Sequence, residues 1–197
     1  EILAEYKKVF VQQQWPNEKY KWEAVQCFQE NWDINSADFA QMLKKSLAKT
    51  DNLLRSANNF PKGMITGFAE AAPEAVHSMY MELYDESKDL CERIANFKNK
   101  SNTLLERYTN GAAQHYQYEN AIMAYLWLRY PDKYYIYKFG EVKAVSLELE
   151  SDYRFKKGAY VDNIRNFMAL YDEICAELQQ DDELRSLLNS QITSTCY

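Results

Sequence analysis

Glycine and proline are scarce in this chain: its 197 residues include only five glycines and four prolines. An all-β protein needs many tight turns, and such turns favour these two residues. The scarcity therefore argues against an all-β fold. No apolar run approaches the ~18 residues that a membrane-spanning helix needs, and no signal peptide opens the sequence. We expect no membrane partner and a cytoplasmic location.

The cysteines lie far apart, and none belongs to a CxxC pair. They are Cys27, Cys91, Cys175 and Cys196. This spacing is not typical of a zinc site or a disulfide framework, so we expect buried thiols in a reducing cytosol. The sequence begins without methionine and ends on "STCY" without an obvious helix cap. These ends suggest a fragment of a longer protein.

Signatures of catalysis are also absent. The sequence has no GxSxG elbow, no phosphate-binding GxxxxGK[ST] loop and no dinucleotide-binding GxGxxG. The formal net charge is −6, so no global field attracts the chain to nucleic acid. We predict no catalytic residue, no metal site and no cofactor.

Helical periodicity is the main signal that is present. Hydrophobic residues make up 47% of the chain, enough for a sizeable core. Apolar stripes at helical spacing follow residues 160–178 and 76–105. We expect an all-α bundle of about seven to nine helices. It forms one module over residues 1–197, or two packed lobes, 1–108 and 119–197, joined by a polar loop at 109–118.

Local signals set several expected helix boundaries. The first helical stripe should stop before Pro16, because the residue ahead of a proline avoids the helical region. Asn17 could then cap the next helix. Asp38 is placed to open a further helix, and Pro73 lies where a first-turn proline is tolerated.

The stretch "WLRYPDKYYIYKFG", Trp127 to Gly140, holds an unusual density of aromatic residues. Its segment at 134–139 has the aromatic enrichment of a short strand or of an irregular helical turn, so we allow at most a small β-hairpin there. Half of a strand's side chains would point inward. The rings therefore either pack in the core or stack on a ligand.

Basic residues interleave with these rings and extend past them. They are Lys133, Lys138, Lys143, Arg154, Lys156 and Lys157. Nucleic-acid sites combine cations that contact phosphate with flat rings that stack on bases. We therefore predict these six as DNA contacts, with Tyr135 and Tyr137 as candidate stacking rings.

An acidic run follows near the C-terminus. It comprises Asp172, Glu173, Glu177, Asp181, Asp182 and Glu183. Such a run is either a solvated helical face or a docking face for a partner protein. We keep the docking face as an alternative to DNA binding.

Two further patterns have alternative explanations. Pro131–Asp132 followed by Glu141 and Lys143 matches the written PD-(D/E)xK nuclease pattern, whose acids must converge on Mg²⁺. Asp132 is also explained as a turn residue after a proline. His115 and Glu119, four residues apart, could share a helical face, but two ligands do not make a metal site.

The order "ENAIMAYLWLRYPDKYYIYKFGEVKAV", "YRFKKGAYVDNIRNFMALYDEI" and "LNSQITSTCY" resembles the region ahead of the motor in McrB-like proteins. These are AAA+ ATPases or GTPases of modification-dependent restriction systems. The resemblance implies a front region that recognises DNA or a partner. It also implies a downstream motor for self-association and a separate McrC-like nuclease subunit. The expected function is thus a non-enzymatic recognition module in phage defence, with protein docking and a nuclease as the alternatives.

Overall fold

A computed structural model describes residues 2–108 and 111–192. Its α-helices are α1 (Ile2–Val9), α2 (Trp15–Glu18), α3 (Tyr20–Asn31), α4 (Phe39–Ser46), α5 (Asp51–Leu54), α6 (Pro61–Ala71), α7 (Pro73–Leu83), α8 (Leu90–Tyr108), α9 (Glu119–Arg129), α10 (Phe139–Glu148), α11 (Tyr160–Leu178) and α12 (Asp182–Asn189). A π-helical segment, Phe10–Gln14, joins α1 to α2. None of these helices is long and apolar enough to cross a bilayer.

The all-α prediction is confirmed, since the described residues form helices and no strand. The isolated bridge between Ser56 and Asn59 does not extend into a sheet. Residues 134–138, where we allowed a hairpin, form an irregular connection between α9 and α10. The helices exceed seven to nine because single turns such as α2 and α5 stand as separate elements.

The expected break at Pro16 is wrong. The backbone stays helical through this region, with Trp15 at φ −57° and ψ −50°. Pro16 lies in the first turn of α2, where its missing N–H is not needed. Asn17 lies inside α2 and is not a cap; α3 begins after Lys19 without a side-chain cap. Residues 2–31 are therefore almost continuously helical.

Two other boundary predictions are confirmed. An Asp38 carboxylate oxygen accepts a hydrogen bond of 3.0 Å from the Gln41 backbone N–H, which caps α4. Pro73 lies in the first turn of α7. The first turn of a helix has backbone N–H groups without partners. Asp38 accepts a hydrogen bond from one of them, and Pro73 has no N–H that would need a partner.

One main core spans most of the chain, and it draws on α3 to α11. Its largest fully buried side chains include Phe28, Tyr80, Phe97, Tyr125 and Phe167. The predicted loop at 109–118 lies partly outside the described residues, which omit 109 and 110. Residues on both sides of this segment share the main core, so the two sides pack together. A second, small cluster centres on Phe10 and Trp15 and includes leucines of α12. The segment around Phe10 and Trp15 is thus packed on α12 outside the main core.

The polar segment before α9 is anchored by buried hydrogen bonds. The Gln117 amide nitrogen donates to the Pro61 carbonyl at 2.8 Å, and its amide oxygen accepts from the Tyr125 hydroxyl at 2.7 Å. His115 Nδ1 accepts from the Gln117 backbone N–H at 2.8 Å. His115 precedes α9 while Glu119 begins it, so the two do not share a helical face. His115 is a hydrogen-bonded core residue.

The thiols in the described part of the chain are free. Cys27, Cys91 and Cys175 are each partly buried and form no disulfide. Burial is the main cause that raises the pKa of the Cys91 thiol above its ordinary value. The fourth, Cys196, lies outside the described residues.

Candidate functional site

An open groove of about 1270 Å³ lies beside the bundle, between the chain's terminal helices and α10 and α11. Apolar side chains of three helices line much of it: Ile2 and Tyr6 of α1, Ile174 and Leu178 of α11, and Leu184 and Leu188 of α12. Several lining residues are exposed although they are large and apolar. Ile2 is 56% exposed and Leu149, at the end of α10, is 46% exposed. The groove therefore presents apolar surface to solvent.

One ion-pair cluster fastens α1 to the start of α12. The Lys7 ammonium lies 2.9 Å from an Asp181 carboxylate oxygen and 2.6 Å from one of Glu183. Hydrogen bonds to Glu183 and then Asp181 raise the pKa of Lys7. Asp181 also accepts from the Leu184 backbone N–H at 2.8 Å. That bond, followed by the one from Lys7, lowers the pKa of Asp181. Together these contacts hold α12 against α1, and these two helices form one wall of the groove.

We expect acid to weaken the attachment of α12 to α1. A carboxyl group with a lowered folded-state pKa stabilises the fold above its unfolded pKa, about 3.9 for aspartate. That stabilisation is lost as pH falls through the lower folded-state value. We expect amide exchange of α12 to accelerate in this acid window before the main core opens. Asp181→Asn, which keeps a capping oxygen, should exchange faster already at neutral pH and lose the acid-dependent step; an unchanged pH profile would contradict this role.

Five carboxylates line the groove: Glu148, Glu150, Asp152, Glu173 and Glu177. No lysine or arginine of the described residues lines it. None of the five takes part in an ion pair between described residues. Glu173 accepts a 2.5 Å hydrogen bond from the Tyr153 hydroxyl, which raises the pKa of that tyrosine. The groove thus combines an apolar interior with uncompensated negative charge.

The predicted acidic run is not one helix. α11 ends at Leu178, and Asp181 caps the start of α12. A turn therefore separates the first three acids from the last three, because the helix hydrogen bonds stop between them. Of the six, only Glu173 and Glu177 line the groove.

The other four acids have intramolecular partners. Asp172 accepts from the Tyr135 hydroxyl at 2.7 Å. Asp181 and Glu183 pair with Lys7, and Asp182 pairs with Arg185 at 3.2 Å. The contacts of Asp172, Asp181 and Glu183 join different elements of the structure, whereas the Asp182–Arg185 pair lies within α12. The six acids are therefore divided between α11, α12 and the turn that joins them, and a docking face made of them stays a prediction.

The predicted DNA-contacting cations separate into two groups. Lys133 pairs with Glu86 at 2.6 Å and Lys138 with Glu141 at 2.8 Å. The other four are exposed and, among the described residues, form no ion pair: Lys143, Arg154, Lys156 and Lys157. Only this second group has its charge uncompensated by a neighbouring carboxylate.

The two candidate stacking rings lie against α11. Tyr137 is 6% exposed, and its ring centroid lies 5.0 Å from that of Phe167. Burial, and secondarily Glu119, raises the pKa of Tyr137 to about 12. Tyr135 is partly buried, and its ring tilts against Tyr171 at 5.5 Å. Tyr137 is therefore a core residue, and the prediction that it stacks on a base is wrong, because its ring is covered.

The nuclease pattern also maps onto separate elements. Asp132 lies in the turn after α9, as expected, whereas Glu141 and Lys143 lie on α10. The Glu141 carboxylate pairs with Lys138. Within the described residues, no three His, Cys, Asp or Glu side chains are placed to hold a metal ion. The strands on which such acids converge are not part of this structure.

Few local features of the sequence predict the groove. Its α1 residues show a helical stripe, and a sequence cannot tell a buried face from the wall of an open groove. The acids of "LELESD", residues 147–152, are separated by leucine or serine and form no continuous acidic run. The closeness of these acids to apolar residues is the one local signal in the sequence that indicates the groove.

Comparisons with known proteins add no assignment. No protein-family model, no curated protein sequence and no solved structure matches this chain.

Proposed function

We propose that the chain is a non-enzymatic protein-interaction module that binds a partner protein in the groove. The observation that carries this proposal is an exposed apolar surface inside a concave site. Contiguous exposed apolar surface, rimmed by polar residues, is typical of interaction sites. The groove volume, about 1270 Å³, exceeds the ~300–1,000 Å³ of typical small-molecule pockets. A macromolecular occupant therefore fits better than a metabolite.

The charge of the groove narrows the class of that occupant. Five carboxylates line the groove and no described lysine or arginine offsets them. Phosphate groups approaching this surface would meet like charge, which opposes nucleic-acid binding there. A protein segment can supply apolar contacts and positive charge together. This favours the docking alternative over DNA for this particular surface.

Selection from a displayed peptide library tests the proposal without a known partner. We expect the wild-type chain to enrich peptides that Leu149→Asp fails to bind, because the aspartate places a charge on the apolar lining. The matched control is Met81→Asp. Met81 is also an exposed apolar residue, 52% accessible, but it lies on α7 outside the groove.

Binders should therefore be lost with Leu149→Asp and retained with Met81→Asp, at roughly tenfold or more difference in Kd. Circular dichroism establishes that both variants stay folded. If no peptide depends on Leu149, the groove is not a protein-binding site and the proposal fails.

A second candidate is DNA recognition through the four unpaired cations, Lys143, Arg154, Lys156 and Lys157. It is favoured by their exposure without acidic partners among the described residues. The resemblance to the front region of McrB-like restriction proteins supports either function, since such regions recognise DNA or a partner. Under this candidate the chain acts in the cytoplasm beside a motor and a McrC-like nuclease subunit.

Salt-dependent DNA binding tests this second candidate. Lys156→Ala with Lys157→Ala should weaken binding to all duplexes alike, methylated or not. The slope of log K against log salt should flatten by roughly one unit per lost phosphate contact. Lys133→Ala is the control, because Lys133 is already paired with Glu86. No measurable binding of any duplex at low salt would rule the candidate out.

A further inference from the structure

We infer that the groove receives an amphipathic α-helix of a partner protein, with lysine or arginine along its flank. This inference rests on the proposed protein-binding function and specifies its occupant. It depends on the shape of the groove, on the charges around it and on one unusual backbone conformation.

The groove is walled by rows of side chains from several helices. Rows of side chains spaced four residues apart line the groove: Ile2 and Tyr6 of α1 with Phe10 of the π-helical segment; Leu170, Ile174 and Leu178 of α11; Leu184 and Leu188 of α12. Rows at this spacing form the ridges and grooves into which another helix packs. A partner helix lying among these rows could pack its own side chains between theirs on each side.

The lengths of the walls fit a short helix. α1 and α12 have eight residues each, and the α11 row covers nine. At ~1.5 Å per residue, each wall extends about 12 Å, or roughly two turns. The contacting part of the partner should therefore be about eight residues long, with apolar anchors at i, i+3 or i+4, and i+7.

An extended peptide would find less to bind. Strand addition requires the free edge of a sheet, and the described residues contain no strand. An extended segment in the groove would leave its backbone N–H and C=O groups without partners, whereas a helix satisfies its own. The groove walls present side chains, and these can pack against the side chains of a helix.

The charges specify the flank of the partner helix. All five groove carboxylates come from α10, the loop after it and α11, whereas the lining side chains of α1 and α12 are uncharged. The partner's cations should therefore lie on the flank that faces α10 and α11. A second copy of this chain is a poor occupant, because the net charge of each copy is −6 and both would present the same acids.

Glu150, one of the five groove carboxylates, has an unusual backbone conformation. It follows α10 at φ 51°, in the left-handed region that favours glycine. The Glu150 N–H donates to the Leu147 carbonyl at 3.1 Å and the Ser151 N–H to that of Ser146 at 3.0 Å, which is the Schellman pattern of a helix end. A position built for glycine thus holds a groove carboxylate at a conformational cost. Strain of this kind is often retained for function.

Synthetic peptides of about 14 residues, long enough to cover both turns, provide the probe. One carries leucine at i, i+4 and i+7 with lysine on the flanks, a second has glutamate in place of lysine, and a third is the lysine peptide with a central proline. We expect fluorescence anisotropy with the full chain to show binding of the lysine peptide only. Its affinity should fall as ionic strength rises from about 0.05 to 0.5 M, because exposed charges are screened.

Two sets of variants locate the binding. Asp152→Lys with Glu177→Lys should weaken the lysine peptide about tenfold and allow the glutamate peptide to bind. Glu150→Gly removes a carboxylate and relieves the left-handed strain, so we expect about two- to fivefold weaker binding with an unchanged or raised thermal midpoint. A merely structural role for Glu150 would not separate affinity from stability in this way.

The outcomes distinguish this inference from the proposed function. Equal binding of the glutamate and proline peptides, or no binding of the lysine peptide at millimolar concentration, overturns the inference. If the library selection still yields peptides that depend on Leu149, the groove binds protein of a different kind and the proposed function stands. If neither experiment detects a groove-dependent ligand, both fail.

Discussion

Arg93→Met is expected to lower the free energy of unfolding by about 3–5 kcal/mol. Arg93 is only 4% exposed. One guanidinium nitrogen donates to the Leu83 carbonyl at 2.7 Å and another to the Tyr134 hydroxyl at 2.8 Å. Tyr134 in turn donates to Glu86 at 2.9 Å. Methionine fills much of the same space but donates nothing, so the buried carbonyl at the end of α7 would lose its partner.

The same network supplies a control. Lys133 contacts Glu86 from the solvent side, with 57% of its side chain exposed. Lys133→Met should therefore cost less than about 1 kcal/mol. Urea unfolding of the two variants gives the comparison. If Arg93→Met lost no more stability than Lys133→Met, the account of how the aromatic segment is attached to α7 and α8 would be wrong.

Phe167→Ala should have a comparably large effect, about 3–5 kcal/mol. Phe167 is fully buried on α11. Its ring lies 4.7 Å from that of Tyr171 and 5.0 Å from that of Tyr137, measured between centroids. Alanine would leave a cavity under the segment that connects α9 to α10, because these rings pack on each other. Thermal and urea unfolding measure the loss.

Tyr160→Ala on the same helix is the matched control. Tyr160 is 57% exposed, and its main contact is the Lys98 ammonium, 4.6 Å from the ring centroid. An exposed cation–π contact is worth less than about 1 kcal/mol. Similar losses for the two variants would mean that α11 is not packed through Phe167 as described.

The sequence predicted those parts of the fold that depend on local periodicity. The stripe from Tyr160 to Leu178 became α11 because its apolar side chains recur on one helical face. The cap at Asp38 and the proline at Pro73 were equally local, and both predictions hold. The prediction at Pro16 was wrong because the residue ahead of a proline is disfavoured in the helical region but not excluded from it, and Trp15 adopts that conformation.

The candidate site was largely beyond prediction from sequence. The wall of the groove depends on Lys7 meeting Asp181, which are 174 residues apart, and such pairing has no local signature. The aromatic segment shows the same limit. Tyr135 and Tyr137 are two residues apart and chemically alike, yet one is partly exposed and hydrogen-bonded to Asp172 while the other is covered. Their difference comes from the position of α11.

Methyl NMR of the full chain during titration with the lysine peptide is the most direct test of helix binding in the groove. The account predicts shifts concentrated at the methyl groups of Ile2, Ile174 and Leu184, which line the groove. Leu54 and Ile65, buried in α5 and α6 away from it, should not move. Shifts spread evenly over both sets, or confined to residues outside the groove, would contradict it.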